Sequence, residues 1–177
     1  MLIDRNAAGV TANKIKKMGW LASDTAELGF DNVIVPKENL VGELDEGFKY
    51  LMGGLQLERL TAAIHSLATA ESAVNYTLEY IKERSAFNKQ LKDFQVIRHR
   101  VSQMMADILV QKAFVQYCCD LQNQGVYAVK ECSIAKLQCS ELAVKVIGNA
   151  CSCLVVMVLL RIIKYQGFTE MQKSEQL

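Results

Sequence analysis

Proline and histidine are scarce in this 177-residue chain, and its positive and negative charges are nearly balanced. Pro36 is the only proline, so few positions exclude a long uninterrupted helix. His65 and His99 are the only histidines and lie about 34 residues apart, which argues against a histidine-based metal centre. The formal net charge of +1, without any basic cluster, argues against a nucleic-acid binder. We therefore expect neither a metal ion nor a nucleic acid as a partner.

Targeting and membrane-spanning segments are also missing from the sequence. The N-terminal MLIDRNAAGV has neither an apolar signal core nor transit-peptide composition. The near-continuous apolar run of residues 154–163, which Arg161 interrupts, is shorter than the roughly 20 residues that span a bilayer. The six cysteines fit no zinc-ligand spacing and mostly fall at helical positions, which predicts reduced, buried thiols of an intracellular protein.

Helical periodicity is what the chain has over most of its length. Apolar residues recur at spacings of three and four from about residue 46 to 84, from 95 to 121, and again from 127. The segments SAFNKQLKDF and QNQG interrupt this pattern. The sequence thus predicts three long helices packed antiparallel, with Met104 and Met105 in the core of the second.

A strand-like pattern precedes Pro36. In ELGFDNVIVP the apolar residues Leu28, Phe30, Val33 and Val35 take alternating faces, while DRNAAG and KKMGW predict turns. About 40 residues of this kind are too few to bury a core of their own. We expect three regions: residues 1–43 as the end of a β domain, residues 44–150 as an incomplete helical domain, and residues 151–177 as a tail.

Two segments resemble the acyl-CoA dehydrogenase family. MGWLASDTAELGFDNVIVPKENLVGELDEGFKYLM resembles the junction between the family's middle β domain and its C-terminal helical domain. ERSAFNKQLKDFQVIRHRVSQMMADI resembles its R-x-x-F-x-K-x-L-x-x-F-Q segment. Leu21 stands where the family commonly has Arg, and Asn88 replaces a Gly, although Asn tolerates left-handed backbone. Over residues 1–150, the resemblance implies a mainly α fold: a helical bundle after the end of a β-barrel-like domain, in a truncated fragment.

The resemblance also implies a flavin-dependent oxidoreductase of fatty acid or amino acid catabolism. A carboxylate would remove the α proton of an acyl-CoA thioester, and FAD would accept the β hydrogen as hydride. The implied partners are the acyl-CoA substrate, electron-transfer flavoprotein and further copies of the chain in a dimer or tetramer. The implied compartment is the mitochondrial matrix in a eukaryote and the cytoplasm in a bacterium.

Glu58, in GLQLERLTAA, is the candidate catalytic base. The resemblance is to the isovaleryl-CoA and long-chain branch, whose base lies on this helix in an L-x-L/Q-E-R-L context. Leu55, Leu57 and Leu60 are expected to give the carboxylate an apolar neighbourhood that favours its protonated form. Without the surrounding motif, a helical Glu is more often solvated or paired with a neighbour such as Arg59.

Arg84, Phe87 and Gln95 are the candidate FAD-binding residues, and Gln56 and Arg59 are the candidate substrate-binding residues by their position beside the base. In the family, the segment around Arg84 reaches FAD that is bound mainly by a neighbouring subunit. The Arg fork suits a pyrophosphate, the aromatic ring covers apolar cofactor surface, and the amide adds a hydrogen bond. The alternative is a plain turn with Arg84 at a favourable helix C-terminus.

Residues 151–177 match neither Q-L-F-G-G-x-G-Y nor I-x-R-x-Y-R-D-A-R/K, the two motifs expected next in the family. Read one nucleotide earlier, the codons of Cys-Leu-Val-Val-Met-Val from position 153 permit Leu-Phe-Gly-Gly-Tyr-Gly. Those of Tyr-Gln-Gly-Phe-Thr-Glu-Met-Gln from position 165 permit Ile-Ser-Arg-Phe-Tyr-Arg-Asp-Ala. The sequence therefore predicts out-of-frame translation after about Asn149.

Two other functions stay open from the sequence. An acyl-CoA oxidase-like enzyme would share these residues and differ in the reoxidation of its flavin by oxygen. A non-catalytic helical interaction module, or a pseudogene product, would retain them without using them. As translated, the chain lacks most of the expected flavin site, so we expect it to be inactive alone.

Overall fold

The computed structural model describes residues 1–154, and the chain divides into two compact units, Met1–Gly54 and Leu55–Leu177. The predictions for residues 155–177 lie outside the described residues. The elements are β1 (Val10–Lys14), β2 (Ala26–Phe30), α1 (Gly47–Glu83), β3 (Ser85–Ala86), β4 (Lys89–Gln90), α2 (Gln95–Asn123) and α3 (Val129–Cys153), with short 3-10 turns at Lys37–Asn39 and Leu91–Asp93.

The first unit contains an antiparallel hairpin in which β1 pairs with β2. Gly9 opens β1 with a φ of +87°, and a Cβ there would lie 2.0 Å from the carbonyl oxygen of Asp31, so only glycine fits. The strand prediction is correct for Leu28 and Phe30 but wrong beyond them. β2 ends at Phe30, because the left-handed backbone of Asn32 (φ +49°) turns the chain before it reaches Val33.

The turn between β1 and β2 is closed by a lysine. Lys17 Nζ donates to the carbonyl oxygen of Trp20 at 2.7 Å and to that of Ser23. Trp20 has a φ of +54°, a backbone conformation that non-glycine residues rarely adopt without such support. The chain turns at KKMGW and the residues directly after it, as predicted, and Lys17 adds a bond to the Trp20 carbonyl, which also accepts from the Ser23 N–H group at 3.0 Å.

Three long helices account for most of residues 55–154, the described part of the second unit, as the periodicity predicts. The inner face of α1 is built from apolar side chains of alternating size, namely Leu60, Ala63, Leu67, Ala70, Val74 and Ile81, all of them buried. The alanines allow neighbouring helices to approach closely. Burial of each larger side chain stabilises the fold by about 1.5–3 kcal/mol.

The core face of α2 is narrower than predicted. Val101, Met104 and Ile108 are buried, but Met105 is 50% exposed, so its predicted core position is wrong. The reason is rotational: Met105 lies about 100° around the helix from Met104, beyond the stripe that faces α1 and α3. Leu109 is displaced from Ile108 in the same way and is also exposed.

Ion pairs connect the exposed edges of the three helices. Lys112 Nζ on α2 lies 2.7 Å from Oε1 of Glu71 on α1, and Lys145 Nζ on α3 lies 2.8 Å from Oδ2 of Asp107 on α2. The hydrogen bond from Lys145 holds the pKa of the Asp107 carboxyl below its ordinary value. These exposed pairs add little stability each, but they link α2 to both neighbours.

All six cysteines carry free thiols, and the predicted burial holds for most of them. Cys118 on α2 and Cys132 and Cys139 on α3 are fully buried, while Cys119 and Cys151 are half-buried. Burial raises the pKa of Cys118 and of Cys139 to about 11, because a thiolate there would lose its hydration. These thiols therefore act as small apolar side chains in the contact between α2 and α3.

Candidate active site

The turn of α1 around Glu58 alternates between buried and exposed side chains. Gln56 is 6% exposed and Leu60 is 3% exposed, because positions four apart share the inner face of the helix. Glu58 lies between them in sequence and is exposed. Its carboxylate therefore points away from the core of the three helices, where a substrate can reach it.

The predicted apolar enclosure of Glu58 by three leucines is wrong in its geometry. Leu60 lies about 160° around the helix from Glu58 and belongs to the core. Leu57 is 55% exposed, and Leu55, half-buried, is about 60° away. Residues that are close in a helical sequence project in different directions, so these leucines do not form one wall around the carboxylate.

Gln56 is held by the end of α2 and the connection that follows. Its Nε2–H group donates to Oε1 of Gln122 at 2.6 Å and to the carbonyl oxygen of Val126 at 3.3 Å. The Oε1 atom of Gln56 is buried and has no hydrogen-bond partner among the described residues. A buried acceptor without a partner costs about 1–3 kcal/mol, so this amide is not an optimal choice for stability.

Arg59 is held by the start of α3. Its Nη1–H donates to Oγ of Ser133 at 2.9 Å, and the Ser133 hydroxyl in turn donates to the carbonyl oxygen of Val129. The guanidinium is half-buried and has five N–H groups, so this bond leaves donors for a further anionic or carbonyl group. The two residues that flank Glu58 are thus both tied to α2, α3 or the connection between them.

Gln122 and Ser133 were not predicted as part of this site. They contact α1 across 66 and 74 residues of sequence, and neither lies in a motif. Nothing in the periodicity distinguishes a polar residue that faces a neighbouring helix end from one that faces solvent. Only the antiparallel packing of the three helices brings them beside Gln56 and Arg59.

The connection between α1 and α2 is a tight hairpin that presents Arg84 and Phe87. Leu91 N–H donates to the carbonyl oxygen of Arg84 at 2.9 Å, and β3 pairs with β4. Phe87 and Asn88 have φ values of +52° and +60°, as in the type I′ turns of two-residue hairpins. The left-handed backbone predicted for Asn88 is confirmed, and Phe87 shares it.

All three candidate flavin-binding side chains lie at this connection and are exposed. Arg84 follows the last residue of α1, Phe87 is 92% exposed at the hairpin tip, and Gln95 is the first residue of α2. No side chain caps the N-terminus of α2, whose N-cap residue is Phe94. An uncapped helix N-terminus and an arginine fork each favour a phosphate or pyrophosphate, so these residues fit the anionic part of FAD.

Glu58 and Arg84 are far apart on one uninterrupted helix. Arg84 follows Glu58 by 26 residues, which corresponds to roughly 39 Å along α1. The structure therefore places the candidate base, with Gln56 and Arg59, about a third of the way along α1, and the candidate flavin contacts beyond its C-terminal end.

Neither a metal cluster nor a membrane helix is found within residues 1–154. No group of three His, Cys, Asp or Glu side chains in that range is arranged to hold a metal ion. No helix in that range is both long and apolar enough to cross a bilayer.

Comparison with known proteins identifies this arrangement of helices. The family model for the acyl-CoA dehydrogenase C-terminal domain matches residues 45–163. The chain belongs to the acyl-CoA dehydrogenase family. The predicted family and the mainly helical fold class are confirmed, and the acyl-CoA dehydrogenase match begins close to the predicted start of the helical domain.

Acyl-CoA dehydrogenases are also the individual proteins that the chain resembles. It is 36% identical over 143 residues to the mitochondrial short/branched chain specific acyl-CoA dehydrogenase of Bos taurus, covering 80% of this chain and 33% of that enzyme. It is 31% identical over 154 residues to the mitochondrial isovaleryl-CoA dehydrogenase of Solanum tuberosum, covering 86% and 37%. The structure of butyryl-CoA dehydrogenase from Megasphaera elsdenii matches with a TM-score of 0.90 at 30% identity, covering 98% and 46%. The chain thus spans about a third of the length of its curated relatives.

Proposed function

We propose that this chain contributes the base and part of the flavin site to a flavin-dependent acyl-CoA dehydrogenase that oxidises the Cα–Cβ bond of an acyl-CoA thioester. The observation that carries the proposal is the exposed Glu58 on α1, flanked by Gln56 and Arg59, in a chain of this family. A carboxylate in this position can accept the α proton.

The proposed roles divide between the Glu58 turn of α1 and the hairpin that follows this helix. Glu58 holds the proton that it takes from the substrate, and Arg59 has N–H donors left for the thioester or its carrier. The sequence also predicts a substrate contact for Gln56, but its side chain is buried and bonded to Gln122 on α2, so the proposal leaves the substrate contact to Arg59. When FAD is bound, it accepts the hydride. Arg84, Phe87 and Gln95 hold its pyrophosphate and an apolar edge.

The separation of roughly 39 Å along α1 supports flavin contacts that are made to a neighbouring copy. One site cannot include both Glu58 and the hairpin of the same chain unless the cofactor extends along most of the helix. A homo-oligomer, dimer or tetramer, is therefore part of the proposal. The exposed apolar side chains Met105, Leu109 and Val110 on α2 support such association.

Electron-transfer flavoprotein is the proposed acceptor of the electrons, as the family resemblance implies. The proposed compartment is the mitochondrial matrix in a eukaryote and the cytoplasm in a bacterium.

An acyl-CoA oxidase-like reaction is a second candidate function, and rapid reoxidation of the reduced flavin by oxygen would favour it. A non-catalytic helical module is the third, and we expect the chain alone to be inactive.

A hybrid enzyme tests the proposed function. Residues 1–154 replace the matching segment of the Solanum tuberosum isovaleryl-CoA dehydrogenase, and anaerobic flavin reduction by isovaleryl-CoA is followed by stopped flow. Glu58→Gln should lower the rate of flavin reduction by roughly 10²–10⁴-fold, the usual effect of losing a positioned base. The FAD content should stay the same, because Glu58 lies far from the hairpin.

Glu79→Gln is the matched control, since Glu79 is an exposed glutamate on the same helix, 21 residues further along. It should leave the rate of flavin reduction within about twofold of the hybrid enzyme, because it removes a carboxylate that no candidate role involves. A Glu58→Gln rate equal to that of Glu79→Gln would assign the base to another carboxylate.

A further inference from the structure

Gln56 has a fixed amide orientation, which its two acceptors impose. The carbonyl oxygen of Val126 can only accept, so the group of Gln56 that lies 3.3 Å from it must be the NH₂ group. Gln122 must then present its Oε1 atom, 2.6 Å away, because two NH₂ groups would repel each other. The orientation of both amides thus follows from one backbone carbonyl.

This arrangement is a poor one for stability alone. The Oε1 atom of Gln56 is buried without a partner among residues 1–154. An apolar side chain of similar length would pack in the same place without that penalty. Gln122 is half-buried and Val126 is exposed, so water could satisfy both if Gln56 were apolar. A residue that helps little with stability but has a defined orientation is a candidate for a positioning role.

The position of Gln56 on α1 shows what it could hold in place. Gln56 and Glu58 are separated by about 200° of helical rotation, so tying Gln56 inward turns Glu58 outward. The bond from Arg59 to Ser133 fixes the same turn from a second direction. Both bonds attach the turn to elements that are distant in sequence, α2 and α3, and so limit its rotation and its sliding.

We propose that Gln56 and Gln122 form a positioning pair for Glu58, setting the azimuth of the α1 turn that presents the carboxylate. The inference rests on the proposed function, because it assigns the pair to the orientation of the base rather than to substrate binding. Loss of the pair lets this turn of α1 rotate, which moves the Glu58 carboxylate away from the position in which it accepts the α proton. Displacement of about 1 Å at a reacting group can lower a rate by about 100-fold.

Three variants in the hybrid enzyme separate orientation from binding and from stability. Gln56→Leu and Gln122→Met each break the pair, and each should lower kcat for isovaleryl-CoA by about 10- to 100-fold with KM changed by less than about threefold. Gln122→Glu keeps an oxygen that accepts from Gln56, so it should retain most of the kcat of the unmodified hybrid. Gln116→Met is the control, since within residues 1–154 the Gln116 amide bonds only to Asp120, on its own helix.

The midpoint of thermal unfolding, measured on the full 177-residue chain, tests the alternative that Gln56 serves stability only, because the midpoint would then fall in Gln56→Leu. We expect the midpoint of Gln56→Leu to equal or exceed that of the unmodified chain, while Glu58→Gln leaves it unchanged. A lower midpoint with unchanged kcat, or a raised KM with unchanged kcat, would overturn the positioning role. An unmodified hybrid that fails to reduce its flavin refutes the proposed function instead, and the unfolding midpoints then still decide whether Gln56 serves stability.

Discussion

At the scale of single residues, exposure separates the side chains that could do chemistry from those that could not. Glu58, Arg84 and Phe87 are exposed, whereas Cys118 and Cys139 are completely buried. A group that must meet a substrate or cofactor has to be reachable, and a thiol with a raised pKa is a poor nucleophile. These differences favour the exposed carboxylate and guanidinium, rather than the buried thiols of Cys118 and Cys139, for the proposed chemistry.

The buried thiols should make the chain sensitive to alkaline pH. The pKa of Cys118 and of Cys139 rises from an ordinary value of 9.0 to about 11 in the folded state. Between these values the unfolded chain loses protons that the folded chain keeps, so stability falls as pH rises from 9 to 11. The loss should be on the order of 2 kcal/mol for each thiol. Urea unfolding at pH 8, 9.5 and 10.5 measures it.

The double variant Cys118→Ala, Cys139→Ala is the control for this pH dependence. It should be less stable than the unmodified chain at pH 8, because it leaves small cavities in the contact between α2 and α3. Its free energy of unfolding should fall less steeply between pH 9 and 11. Parallel pH profiles for the two proteins would show that these thiols do not cause the loss.

Arg84 should control flavin retention rather than the chemical step. In the hybrid enzyme, Arg84→Ala removes a charge-assisted hydrogen bond and should weaken FAD binding by about 10- to 100-fold. The FAD affinity of Arg84→Lys should lie between that of Arg84→Ala and that of the unmodified hybrid, since lysine keeps the charge without the planar guanidinium group. The ratio of FAD to protein after gel filtration measures the effect. Lys82→Ala removes a nearby exposed charge, and an equal loss of FAD in that variant would contradict a specific contact.

At the scale of elements, the three helices follow from local pattern, and the contacts between them do not. A spacing of three and four is set by consecutive residues, so α1 and α2 begin and end, and α3 begins, close to their predicted limits. Met105 and the leucines around Glu58 were placed wrongly because exposure depends on the width of the buried stripe, which the partner helices determine. Gln122 and Ser133 are invisible to pattern for the same reason.

The β3–β4 hairpin should be sensitive to the residue at its second left-handed position. Asn88 has a φ of +60°, where a β-branched residue is strained. Asn88→Val should therefore lower stability by about 1–2 kcal/mol, whereas Asn88→Gly should stay close to the unmodified chain. Urea unfolding of the three proteins measures the difference. Asn123→Val, an exposed change at the last residue of α2, should lower stability less, and an equal loss there would contradict the explanation by backbone strain at Asn88.

At the scale of the whole molecule, the family match and the predicted change of reading frame meet near the end of α3. The acyl-CoA dehydrogenase model matches to residue 163, while the sequence predicts out-of-frame translation after about Asn149. α3 continues to Cys153, and Leu154 is buried. The described residues end at 154, and the codons that permit the two expected motifs lie almost entirely beyond that point. The prediction of a changed reading frame therefore has to be tested on the nucleic acid.

The nucleotide sequence around codon 150 decides the reading frame. Restoring one base there should open a frame that encodes Gly-Gly within the first motif and Arg-Asp-Ala within the second, because the codons of residues 153–158 and 165–172 permit both. Early stop codons in that frame, or the absence of either motif, would make the prediction wrong. Independent resequencing of the gene and of its transcript distinguishes a change in the gene from an error in reading its sequence.

The length of α1 has a genetic consequence under the proposed roles. Because Glu58 and Arg84 lie roughly 39 Å apart on this helix, each catalytic centre draws its base from one copy and its hairpin from another. Two alleles that are each inactive, one altered at Glu58 and the other at Arg84, can then restore a working centre when their products assemble together. Inheritance of such lesions would follow interallelic complementation, so a heterozygote carrying both could retain activity that neither homozygote has.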